Sequence, residues 1–155
     1  MAGLQRFSLI PTVSNGAIYA ASDVVGGRLT LSNLAIPGAG IRLHSIVIGD
    51  KDAQTQDFVL TIFDTAPTAI ADNAAITTLN DADPAKIIYE KIIDAATYRR
   101  SYTANAKYEV TGLDVPLVSA ENTGSLYAFL WLLTGTPTYS SITAISLYLG
   151  YSIFE

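Results

Sequence analysis

Apolar and polar residues alternate along most of this chain with a period of two, the pattern of half-buried β-strands. The alternation is regular over residues 28–32, 107–111 and 144–154, whereas residues 58–63 and 126–133 are almost wholly apolar. The pattern predicts nine strands, at residues 6–9, 28–32, 41–48, 58–63, 86–93, 107–111, 115–118, 126–133 and 144–154. Turn residues rather than long helical spacers separate them. We therefore expect an all-β fold, an antiparallel sandwich or barrel of about eight to nine strands, in one domain over residues 1–155.

Residues 83–93 allow a second interpretation. Asp83 followed by Pro84 is a typical helix start, and a helix from there could run to Ile93. The isoleucines of this segment are paired along the sequence, a spacing that does not decide between helix and strand. Their β-branching favours a strand after one helical turn, which is our prediction.

The composition removes several classes of function. Half of the residues are apolar, 15% are charged and the net charge is −5. The sequence also contains no basic run that could contact the phosphates of a nucleic acid. The absence of cysteine and the single histidine exclude thiol chemistry, disulfides and zinc sites that need several imidazoles. The longest apolar run, residues 126–133, is too short to cross a membrane as a helix. We expect no cofactor, and neither nucleic acid nor membrane as a partner.

Two pairs of carboxylates have the spacing with which many calcium loops begin, namely Asp50 with Asp52 and Asp81 with Asp83. Neither pair is followed by the bidentate acid that completes such a loop. Aspartate is common in turns because it accepts hydrogen bonds from nearby backbone N–H groups. We predict solvated turn residues here and no metal site.

His44 is the one candidate for acid–base catalysis. By period two it lies on the same strand face as Arg42, opposite Leu43. A hydrolase triad would need a serine nucleophile and a carboxylate around it, and the sequence has no Gly-x-Ser-x-Gly motif. We predict no catalytic residue and no enzymatic activity.

The segment from Tyr98 to Tyr102 stands out because it combines two tyrosines with the adjacent pair Arg99 and Arg100. Tyrosine and arginine are enriched in protein interfaces. We predict a loop here whose residues Tyr98, Arg99, Arg100 and Tyr102 form subunit or partner contacts.

The whole sequence resembles a family of small tailed-phage virion proteins. The similar runs are residues 19–29 (YAASDVVGGRL), 45–51 (SIVIGDK), 58–64 (FVLTIFD), 72–75 (DNAA), 81–83 (DAD) and 135–139 (GTPTY). The resemblance implies a virion component, and we interpret it as a head decoration, or cement, protein with a jelly-roll-like sandwich. The resemblance does not imply the exact position in the virion; we expect the capsid surface, with synthesis in the host cytoplasm. Its implied partners are the major capsid protein or other virion proteins.

The alternative function is a receptor- or carbohydrate-binding head domain of a phage fibre. Under either function, the low charge content predicts apolar surface that a partner covers, and we expect a closed homo-oligomer, a trimer. The last strand carries no charge before Glu155. As an edge it would be unprotected, so we expect it to lie inside a sheet or under a neighbouring chain.

Overall fold

Two antiparallel β-sheets make up the computed structural model, which describes residues 3–34 and 39–154. The six-stranded sheet has the order β1-β10-β3-β7-β6, with β8 also paired to β3, and the four-stranded sheet has the order β2-β9-β4-β5. The strands are β1 (Gln5–Leu9), β2 (Leu29–Leu31), β3 (Gly40–Asp50), β4 (Asp57–Phe63), β5 (Ile87–Ile93), β6 (Arg99–Ser101), β7 (Ala106–Val110), β8 (Val115–Val118), β9 (Leu126–Thr134) and β10 (Ile145–Phe154). A short helix, α1 (Ala95–Tyr98), precedes β6. In the described part of the chain, no helix is long and apolar enough to cross a membrane.

Eight of these strands pair as a nested set: β1 with β10, β2 with β9, β3 with β7, and β4 with β5. The ladders between β10 and β3 and between β9 and β4 then join these pairs into two sheets. A long hairpin that is rolled up on itself produces this order, which is that of a jelly roll. The predicted all-β sandwich is confirmed. All nine predicted strands are present, and the tenth, β6, was not predicted.

The strand β10 lies inside the six-stranded sheet, as its lack of charge predicts. It pairs with β1 over residues 147–151 and with β3 over its whole length. Its inward-facing residues, among them Leu147 and Leu149, are fully buried. They pack against the inner face of the four-stranded sheet, so one apolar core lies between the two sheets.

A second, smaller apolar cluster covers the outer face of the four-stranded sheet. Its buried members are Val24, Phe63, Ile70 and Phe129. Ile70 belongs to the long connection between β4 and β5, which therefore acts as a third layer over the sheet. This layer explains why β4 is apolar without alternation, since its residues are buried on both faces.

The two interpretations of residues 83–93 resolve in favour of the strand. A 3₁₀ turn covers Asp83–Lys86, with Pro84 near its start, and β5 begins at Ile87. The proline starts one helical turn, and the β-branched isoleucines then continue as a strand.

Candidate interaction site

One end of the sandwich gathers four connections: residues 10–28, 51–56, 94–105 and 135–144. The register of the strands places them together, because Ile145 and Ala106 both pair with Asp50, and Thr134 pairs with Asp57. We call this end the braced end, since hydrogen bonds between side chains and backbone tie its loops to one another. The connections at residues 64–86 and 119–125 start and finish at the opposite end, whereas residues 111–114 lie beside His44 at the middle of β3.

The loop of residues 51–56 is organised around Asp50, whose side chain is buried. The Asp50 carboxylate accepts hydrogen bonds from Asp52 N at 2.9 Å, Gln54 N at 3.1 Å and Gln56 Nε2 at 3.2 Å. Burial raises the pKa of Asp50 above its ordinary value, and these hydrogen bonds oppose the rise. The Asp50 carboxylate thus accepts hydrogen bonds from loop N–H groups that have no partner in a helix or sheet.

Side chains of the same loop bind the loop of residues 135–144. The Gln54 side chain accepts from Thr138 N at 2.9 Å and donates to the Thr138 carbonyl. Asp52 accepts from Ser140 N at 2.9 Å and from its hydroxyl group. Each of these contacts joins residues more than 80 positions apart, so the two loops are held as one unit.

Arg99 ties the loop to the six-stranded sheet. Its Nε donates to the Gln54 carbonyl at 3.0 Å, and Nη2 donates to the Ala53 carbonyl at 2.5 Å. Ala53 has a φ of 52°, a left-handed conformation that costs an L-residue about 1 kcal/mol. The arginine therefore supports a strained backbone at the edge of the braced end.

Large apolar side chains are exposed on these tied loops. Ile18 is 71% exposed and Ile142 is 54% exposed, although their backbones are fixed by the Ile18–Thr138 bridge and by the bond from Val13 N to the Ile142 carbonyl. Ile10, Ile92, Tyr102 and Leu133 are further exposed apolar or aromatic residues at this end. These apolar side chains are therefore exposed on loops whose backbones are held in place.

The four predicted contact residues all lie at the braced end, but they do not form one loop. Tyr98 ends α1, and Arg99 and Arg100 lie in β6, so the predicted loop is wrong up to Ser101. Pairing with the edge of β7 makes this polar segment a strand. Arg100 and Tyr102 are exposed, whereas Arg99 and Tyr98 are half-buried. Arg99 is a structural residue, and Lys91 lies over the Tyr98 ring at 5.2 Å.

The carboxylate pairs do not form a metal site. Among residues 3–34 and 39–154, no three histidine, aspartate or glutamate side chains gather as metal ligands. The prediction of solvated turn residues is wrong for Asp50 and Asp83, each of which is only 1% exposed. Asp83 accepts from Thr68 N at 3.0 Å and from Lys86 Nζ at 2.9 Å, so it fixes the connection between β4 and β5.

His44 lies on the outer face of the six-stranded sheet, as predicted. Its Nε2 atom is 2.9 Å from Ser152 Oγ. The ladder between β3 and β10 shifts register beside it, because Leu43 pairs with Tyr151 and Ser45 with Gly150. The bulge directs His44 and Ser45, two consecutive polar residues, to the same side of the sheet.

The sequence analysis missed a second hydrogen-bonded cluster, which ties residues 10–28 to the layer over the four-stranded sheet. The Asp72 carboxylate accepts from Ser14 N at 2.8 Å, Tyr19 Oη at 2.7 Å and Gly26 N at 2.6 Å. These partners are 46 to 58 residues away along the chain, so no local pattern indicates them. Burial and the neighbouring carboxylate raise the pKa of Tyr19.

The strand order defines the fold class of the protein, an antiparallel jelly-roll sandwich. No protein-family model matches the chain, and a search of curated proteins finds no match. Among solved structures, a chain of the particle described as "Israeli acute paralysis virus heated to 63 degree - full particle" is similar with a TM-score of 0.31 and 10% identity. The similarity covers 98% of this chain and 71% of that chain. At this TM-score the fold class rests on the strand order alone.

Proposed function

We propose that the chain is a structural virion protein, and that it decorates a tailed-phage head as a cement protein. The braced end docks on the major capsid protein, and the opposite end faces away from the capsid. Jelly rolls also occur in lectin domains and cupins, so the fold by itself does not carry this function. The argument rests on the surface of the braced end.

The observation that carries the proposal is the exposure of Ile18 and Ile142 on loops whose backbones are held in place. A cement protein must bind a repeated, preformed surface, which favours a rigid docking end over a flexible one. Arg100 and Tyr102 extend this surface at the edge of β6 and are both exposed. They supply a charge and an aromatic ring, the residue types that anchor many interfaces.

Co-sedimentation with phage heads that lack the protein tests the proposal. We expect the purified chain to bind, and Ile18→Glu together with Ile142→Glu to weaken binding at least about tenfold, because two apolar contacts become buried charges. Val118→Glu is the matched control, since Val118 is 48% exposed and lies at the opposite end, paired with Gly40. It should bind like the wild type. Failure of the wild type to bind, or equal weakening by the control, would contradict the proposal.

A further inference from the structure

The strand β1 forms a free edge of the six-stranded sheet. It pairs with β10 along one side, from Gln5 opposite Tyr151 to Leu9 opposite Leu147, without a register shift. On its other side, residues 5–9 form no backbone hydrogen bond within the described chain. Such an edge presents unpaired N–H and C=O groups to any strand of matching sequence.

The other long edge, β5, pairs poorly with a copy of itself in its central registers. When two copies pair edge to edge across a two-fold axis perpendicular to the sheet, the outer faces of both copies lie on the same side of the joined sheet. Central registers of β5 then place Glu90 opposite Glu90 or Lys91 opposite Lys91 of the second copy. Like charges directly opposite each other destabilise a strand pair. The other two sheet edges, β2 and β6, have only three residues each, and β6 carries Arg99 and Arg100.

The sequence of β1 fits a copy of itself. When Phe7 is placed opposite Phe7 of the second copy, Arg6 meets Ser8 rather than another arginine. In the same register, Leu4 lies opposite Ile10 of the second copy at both ends of the pair. Leu4 is 79% exposed and Ile10 is 57% exposed, and both flank β1 on the face of Arg6 and Ser8. One register therefore removes the charge conflict and pairs two exposed apolar residues at each end.

We propose that two copies of this chain associate through β1 across a two-fold axis, which joins their six-stranded sheets into one continuous sheet centred on Phe7. The contact is isologous, so it closes at two chains. It yields a dimer rather than the trimer expected from the sequence. The contact uses the edge of β1, with Ile10 beside the braced end, but neither Ile18 nor Ile142. Substitution of Ile18 and Ile142 should therefore weaken capsid docking without changing self-association.

Mass and cross-linking measurements test the pairing. Light scattering at tens of micromolar should give twice the chain mass of 16.5 kDa. The chain has no cysteine, so the single variants Arg6→Cys and Ser8→Cys each carry one thiol. Mixed and left to exchange subunits, they should form a disulfide-linked pair, because directly opposite residues are about 4.5–5.5 Å apart, within disulfide range. Each variant alone should cross-link at least about tenfold more slowly, since its thiols lie about 7–8 Å apart on the diagonal.

A charge pair tests the register independently. Leu4→Glu should weaken the dimer at least about tenfold by placing a carboxylate against Ile10 of the second copy. Addition of Ile10→Lys should restore association, because each glutamate then faces a lysine. A mass of one or three chains, equal cross-linking by the single variants, or no rescue by the double variant would overturn the proposal.

Discussion

Two aspartates hold the loops at the two ends of the sandwich, and their pKa values shift in opposite directions. Asp50 and Asp83 are each 1% exposed. At Asp83, hydrogen bonds from Thr68 and the ion pair with Lys86 hold the pKa of the carboxyl well below its usual range. At Asp50, burial raises the pKa, and its partners are backbone N–H groups and an amide with no cation among them.

The difference shows that a low exposed fraction does not fix the energetic role of a carboxylate. The Thr68 side chain, two backbone N–H groups and the Lys86 cation make the ionised form of Asp83 favourable. The ionised form of Asp50 is instead tolerated because it accepts the hydrogen bonds of the loop. Asp83 is therefore stabilised by hydrogen bonds together with a cation, and Asp50 by hydrogen bonds alone.

The largest expected effect comes from isosteric removal of each charge. At pH 7, Asp83→Asn should lower the free energy of unfolding by about 2 kcal/mol, because a buried ion pair loses one partner. Asp50→Asn should cost only about 1 kcal/mol, because relief of the buried charge offsets part of the lost hydrogen bonding. Urea unfolding of both variants measures the difference.

The pH dependence of the same two variants sharpens the comparison. The folded pKa of Asp83 is lowered, so its stabilisation is present above about pH 4 and is lost as pH falls further. The advantage of the wild type over Asp83→Asn should therefore shrink below that pH. The folded pKa of Asp50 is raised above its unfolded value. The free-energy cost of burying its charge is therefore lost as pH falls through the folded pKa. The stability advantage of the wild type over Asp50→Asn should then grow as pH falls. Parallel pH profiles of the unfolding free energy for the two variants would refute the contrast between Asp50 and Asp83.

A smaller effect separates the two arginines of β6. Arg99→Met should lower stability by about 1 kcal/mol, because the Ala53 and Gln54 carbonyls lose their donor. Arg100→Met should change stability by less than about 0.5 kcal/mol, as is usual for an exposed residue without structural contacts. Thermal or urea unfolding measures both. Equal losses would show that Arg99 does not brace the loop.

The sequence was sufficient to predict the fold because burial alternates along the strands. β10 was placed inside a sheet from its lack of charge, and β5 was predicted from the β-branching of its isoleucines. β6 was missed because its three polar residues carry no alternation and depend on the edge of β7 for pairing.

The candidate site was predicted only in part, since its organisation is not local. Arg99 and Tyr102 lie at the braced end, but the partners of Asp50 and Asp72 depend on loop geometry and on contacts distant in sequence. An aspartate beside a turn has the same local pattern whether it is solvated or buried. That ambiguity led to the wrong prediction for Asp50 and Asp83.

A cryo-EM map of heads saturated with the purified protein tests the central claim, that the braced end is the docking end. The account predicts that density for residues 135–144 and for Ile18 contacts the capsid, and that the opposite end, with Val118, faces solvent. A map in which the opposite end contacts the capsid, or in which saturated heads carry no added density, would contradict it.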